Sequence, residues 1–185
     1  MSTATTAIST GLSAGTWTVD PSHSDVSFTV RHLMVSKVRG SFTRFSGELR
    51  IGEDLGSSSV TAAVDMASID TRDPDRDAHV RSADFFDVER YPTMTFRSTD
   101  VRRDGADFVV SGDLGIHGVT RPVEFAVELN GVTNDPWGGT RAGFSATTEI
   151  NRRDFGIDLR MPLDGGGAVV GDKVKVQLEI EAVLA

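Results

Sequence analysis

"DVSFTVRHLMVSKVRGSF", residues 25–42, alternates apolar and polar side chains with the period of two that marks a strand with one buried and one exposed face. Val26, Phe28, Val30 and His32 share one side of that alternation, so the imidazole is aimed at whatever interior the three apolar side chains face. The period continues on even positions through Val38, Gly40 and Phe42, then moves to odd positions at Phe45, Gly47, Leu49 and Ile51. That change of phase predicts a bulge or sharp bend near Thr43–Arg44, a device by which a long strand turns a barrel corner.

The same reading extends outward from this stretch. A strand is expected at Trp17–Val19, and others around Val60, Ala62, Val64 and Met66, around Met94 and Phe96, and through Phe108, Val110, Gly112 and Leu114. Asp104-Gly105 between the last two is a strong hairpin signal. Beyond the tight link at His117-Gly118 come Val123, Phe125, Val127 and Leu129, then Asn130-Gly131 and a Pro/Trp/Gly loop. Strands bearing Ala142, Phe144, Ala146 and Ile150, and running from Val174 to Leu184, complete the chain. Eight or nine strands joined mostly by short turns fit an antiparallel sheet closed into a barrel or folded into a sandwich. Residues 72–90 break the pattern: Asp73-Pro74 reads as an N-cap with proline in the first turn, and Ser82 is a second candidate cap. One or two short helices are expected there, ended by Tyr91-Pro92.

A chain of 185 residues with 38% hydrophobic and 25% charged side chains is sized for one globular domain. Residues 1–15 lack the basic and continuously apolar regions of a secretion signal and are expected to form a flexible tail ahead of a domain spanning 16–185. No stretch has the length of apolar residues that a membrane-spanning helix needs, so a soluble, cytoplasmic protein without stable membrane insertion is expected. A net charge of −8 argues against nucleic acid as a partner. The absence of cysteine removes disulfides, thiolate metal sites and cysteine nucleophiles.

The inward-facing set mixes large residues (Phe28, Phe42, Phe96, Phe108, Phe125, Phe144) with small ones (Ala62, Gly112, Ala142, Ala146). Parity leaves two readings of this mixture, a core in which small faces large and a tunnel walled by phenylalanine. Strands of about ten residues rise roughly 33 Å, enough to enclose a long chain. His23, His32, His79 and His117 show no short metal-ligand spacing, and there is no nucleophile elbow, Walker loop or dinucleotide fingerprint. No cofactor and no metal are therefore expected. "NRRDFGI", 151–157, packs two arginines and an aspartate beside Phe155 at a strand end, as either a surface ion pair or part of a mouth.

Four blocks resemble, in order, the signature segments of the YceI-like family: "TVDPSHSDVSFTVRHLMVSKVRGSF", "IDTRDPDRDAHVRSADFFDVERYPTMTFRS", "GDLGIHGVTRPVEF" and "NRRDFGID". Arg72 stands where the family commonly has glycine, and Gly115 where threonine is common. The resemblance implies an extended lipocalin-like antiparallel barrel of about eight strands, often a homodimer, with a short helical insert near residues 73–90. It further implies an apolar tunnel that takes a long-chain isoprenoid or other amphipathic lipid. The expected wall is Phe28, Val30, His32, Phe42, Met66, Met94, Phe96, Phe108, Phe125 and Phe144, bordered by His79 and Phe85 of the insert and by Arg153, Asp154 and Phe155. A non-catalytic carrier is the leading reading. The alternatives are an enzyme that uses the barrel as a reaction chamber, with His32 as acid or base beside Arg153 and Asp154, and a filled barrel that acts through its acidic surface.

Overall fold

The structure is a computed structural model that describes residues 11–158 and 169–185. Residues 1–10 of the expected tail and the glycine run at 165–167 lie outside the described residues. Within the rest of that tail, Leu12 packs against the apolar cluster that contains Trp17, the Trp17 indole Nε1 donates to the Ser13 carbonyl at 3.0 Å, and the first strand starts at Gly15.

The fold is a closed antiparallel barrel of eight strands, several of them broken. Strands β1 (Gly15–Val19) and β2 (Asp25–His32) are halves of one strand interrupted by a 3-10 turn at Pro21–His23. Strands β3 (Ser36–Phe42) and β4 (Phe45–Ile51) are halves of the next, and the bend between them is where the phase change placed it. Buried Ser68 serves the backbone at that bend: its carbonyl accepts from Thr43 N at 3.2 Å and its hydroxyl from Arg44 N at 3.1 Å. Strand β5 (Ser59–Asp65) and the two-residue β6 (Ile69–Asp70) form the third stave.

Strands β7 (Thr93–Asp104), β8 (Asp107–Ile116), β9 (Val119–Asn134), β10 (Thr140–Asn151) and β11 (Val170–Leu184) follow as a meander. β11 closes the ring: one edge pairs with β10, and the other pairs with β2 (Leu178↔Val26) and then with β1 (Leu184↔Trp17). In β8 the alternation is nearly complete, with Phe108, Val110, Leu114 and Ile116 buried.

Asn130-Gly131 does not end a strand. β9 runs through it, because Gly143 pairs with Gly131 and Phe144 with Leu129, leaving Asn130 as a bulge residue whose amide donates to Ser145 Oγ at 2.9 Å. The reversal comes later, where the Asp135 carboxylate accepts from the backbone of Trp137 and Gly139. At His117-Gly118 both residues have positive φ, 56° and 73°, which suits a two-residue hairpin whose twist matches its strands.

The insert between β6 and β7 contains one helix, α1 (Pro74–Arg81), followed by turns rather than a second helix. Asp73 caps it by accepting from Asp75 N and Arg76 N. The helix is mostly polar and is tied to the barrel by hydrogen bonds. Buried Asp77 accepts from Thr71 N at 2.9 Å and Thr71 Oγ1 at 2.6 Å, Arg76 donates to Thr71 Oγ1 and Thr71 O, and Arg81 donates to the carbonyls of Ala67 and Ile69. Arg72 has φ 64°, the left-handed conformation that glycine adopts freely, and its N–H is held by the Asp70 carboxylate at 2.8 Å. No helix among the described residues is long and apolar enough to cross a membrane.

Candidate functional site

Two apolar clusters occupy the barrel. One gathers around Trp17, Ala142, Phe144 and Ala182, near the end where β1 starts; the other gathers around Met66, Ile69, Leu114 and Phe155, under α1. Between and alongside them runs a cavity of about 810 Å³. Its lining extends from Leu12, Ile51 and Leu55 at the first end to His32, His79 and Val170 at the other. That volume lies in the upper part of the 300–1,000 Å³ range of small-molecule sites. The barrel is hollow, which removes the filled-core reading.

All ten phenylalanines of the chain line this space. Several meet as pairs: Phe28 and Phe42 at 5.8 Å between ring centroids, Phe42 and Phe86 at 6.2 Å, and Phe96 and Phe125 edge to face at 5.4 Å. Two glycines decide how some of these rings lie. Gly40 is paired directly with Phe28, and a Cβ on Gly40 would collide with the Phe28 ring; a Cβ on Gly112 would meet the ring of Phe96. The rings therefore lie along the wall, over bare backbone, and leave the bore open.

Of the expected site residues, Phe28, Val30, His32, Phe42, Met66, His79, Phe85, Met94, Phe96, Phe108, Phe125, Phe144 and Phe155 line the cavity. Arg153 and Asp154 do not. Arg153 pairs outside it with Asp172 at 3.0 Å and Asp158 at 3.5 Å, and the Asp154 carbonyl accepts from Arg121. The arginine on the cavity wall is the neighbouring Arg152, 6% exposed, which donates to the carbonyls of Ile157, Val170 and Gly171 and to Asp172 Oδ1. Residues 152–155 form a 3-10 turn after β10, where alternation no longer says which side chain faces in. Phe45, Phe86 and Arg76 also line the space. Phe45 shares its parity with Gly47 and Leu49, a signal that could have placed it there; Phe86 and Arg76 lie in the insert, where no period operates.

Polar groups are unevenly distributed along the wall. Arg31, His32, Thr71, Arg76, His79 and Arg152 cluster at the α1 end, whereas Glu53, Ser58 and Ser59 lie at the other. His79 donates through Nε2 to Asp84 at 2.9 Å and stands edge-on to Phe85. His32 is half-buried, and its ring has no hydrogen-bond partner among the described residues. His117 is structural, donating through Nδ1 to the Phe155 carbonyl at 3.1 Å with Tyr91 against its ring.

Outside the cavity, Asp20, His23 and Glu181 bring three ligand atoms within 4.8 Å of one another. Arg141 Nη1 already bridges two of them, at 2.9 Å to Asp20 and 2.7 Å to Glu181, while its Nε donates to Asp135 at 2.8 Å. This is an ion-pair network joining β10, β11 and the β1–β2 break. It holds the Asp20 carboxyl far below the usual carboxylate range, through the Ser22 hydroxyl first and then His23 and Arg141.

Comparison with known proteins gives a consistent picture. The YceI-like domain matches residues 17–182. A UPF0312 protein of Vibrio parahaemolyticus is 39% identical over 181 residues, covering 96% of this chain and 92% of its own. BcnA of Burkholderia cenocepacia has the same fold, with a TM-score of 0.74 at 24% identity over 88% of this chain and 98% of its own. So does a polyisoprenoid binding domain from Saccharophagus degradans, implicated in plant cell wall breakdown, with a TM-score of 0.70 at 18% identity over 91% of this chain and 98% of its own.

Proposed function

The chain belongs to the YceI-like family, and from that premise we propose that it is a non-catalytic carrier of one long-chain amphipathic lipid, an isoprenoid or a fatty-acid derivative. The observation that carries this reading is the cavity of about 810 Å³ walled by every phenylalanine of the chain. Burial of each methylene is worth about 0.8 kcal/mol, so a long tail supplies ample gross binding energy against the cost of ordering it. The tail lies along Phe28, Phe96, Phe108, Phe125 and Phe144, and the headgroup sits at the polar α1 end, where the His32 ring is hydrogen-bonded to no described residue. The polyisoprenoid binding of a protein with this fold supports the same ligand class.

A reaction chamber needs two polar groups converging on one reacting atom. The His32 ring is hydrogen-bonded to no acid or base among the described residues, Arg76 and Arg152 are engaged with backbone carbonyls, and Asp84, the partner of His79, is not on the cavity wall. These placements favour the carrier. The test is a titration of delipidated protein with a long-chain polyisoprenoid quinone, followed by quenching of tryptophan fluorescence. Saturation at one ligand per chain is expected; no saturable binding of that quinone or of a long-chain fatty amide would defeat the proposal.

A further inference from the structure

The β2–β3 hairpin carries two features on the outside of the barrel, one of which includes Arg31, a residue that also borders the cavity at the α1 end. Its tip, Leu33-Met34-Val35, is 38%, 50% and 83% exposed, and Leu33 and Met34 hold φ values of 52° and 61°. Such a conformation is costly for bulky side chains and persists where its surroundings over-determine it. Just below the tip, Arg31 and Lys37 stand directly opposite each other across the two strands, with Arg39 one step further along the same exposed face. Like charges in opposed positions repel, yet none of the three has a carboxylate partner among the described residues. Nearby Asp172 is held by Arg152 and Arg153, and the Asp70 carboxylate by the Arg72 N–H. Three cations with no carboxylate partner among the described residues, under an apolar tip, stand out on a chain of net charge −8.

We propose that this hairpin is a docking surface for an anionic lipid bilayer. Leu33, Met34 and Val35 enter the headgroup layer, and Arg31, Lys37 and Arg39 meet the phosphates behind them, the two-part combination that reversible surface attachment needs. Charge selects this occupant over a second copy of the chain: a two-fold interface would bring the same three cations against themselves. The hairpin also adjoins the cavity. Leu33 N donates to the Val169 carbonyl at 2.9 Å, His32 pairs with Val170, and His32, Val169 and Val170 all line the α1 end. Docking by the tip sets that end against the membrane, where a carried lipid would enter or leave; this purpose, though not the docking, rests on the carrier reading.

The experiment is co-sedimentation of lipid-free protein with vesicles of phosphatidylcholine alone and of phosphatidylcholine with phosphatidylglycerol. Binding to the anionic vesicles only, weakening as salt is raised, is expected. R31Q/K37Q/R39Q lowers partitioning on the order of a hundredfold, and L33S/M34S/V35S lowers it at least about tenfold. The charge variant changes only exposed side chains, so the test stands even if the tip variant misfolds. Trp137→Ser, an exposed aromatic at the opposite end of the barrel, leaves partitioning unchanged. Wild-type protein that ignores anionic vesicles, or charge variants that bind as well as wild type, would overturn the proposal. So would a tip variant that turns a dimer into a monomer in sedimentation velocity, since the patch would then belong to a second copy. Because no carried lipid is present, failure here and failure of the quinone titration are separate results.

Discussion

Gly40 and Gly112 set the bore by what they lack. With no Cβ, each lets an aromatic ring lie over its backbone instead of across the lumen. Gly40→Ala is expected to push the Phe28 ring inward, lowering quinone affinity about tenfold and stability by about 1–3 kcal/mol, in line with other overpacked sites. Phe28→Leu in the same chain should restore most of both, as read by titration and thermal melting. His32 makes a subtler case. If it orients the headgroup, His32→Leu weakens binding of a quinone roughly threefold to tenfold, the worth of one hydrogen bond, and leaves binding of the matching polyisoprenoid hydrocarbon unchanged. Its inward direction was legible from Val26, Phe28 and Val30. The choice between Arg152 and Arg153 was not, because a 3-10 turn replaces the period of two at that point.

Among the elements, α1 shows how a polar helix is kept on an apolar barrel. The cap at Asp73-Pro74 could be read from the sequence, but the anchoring could not, since Asp77, Arg76 and Arg81 act on Thr71, Ala67 and Ile69 through contacts that no helical pattern reveals. Asp77→Ala removes a buried acceptor from two donors and is expected to cost about 2–3 kcal/mol. Hydrogen exchange should then accelerate at residues 74–88 before it does in β8–β10; uniform acceleration would mean that the insert is not a separate unit. The β9 bulge teaches a related lesson. Asn130-Gly131 has the composition of a tight turn, and only the neighbouring strand, which continues to pair on both sides, makes it a bulge.

At the level of the whole molecule, closure depends on β11 holding β10 along one edge and β1 with β2 along the other, and Arg141 pins that junction from outside. Asp135 is held below its ordinary pKa as well, by Arg141 first and the Gly139 N–H next. With depressed native values at Asp20 and Asp135, the unfolded chain takes up protons first as pH falls below about 4. Their stabilisation is thus complete above that pH and is lost progressively in more acid solution. Arg141→Met should lower stability at neutral pH and flatten the decline below about pH 4, as measured by denaturant unfolding across pH. The closed barrel followed from alternation, the bend near Thr43 and the family blocks. Whether its interior was hollow did not, because the same large and small residues fill a core or wall a tunnel depending on how the rings turn at Gly40 and Gly112.

The most direct measurement is native mass spectrometry of the protein freshly purified from its own cells, with lipid identification after organic extraction. One long-chain amphipathic lipid per chain is expected, released on denaturation. A bare polypeptide mass, together with an extract that holds no long-chain lipid in proportion to protein, would mean that the cavity serves some other purpose than carriage.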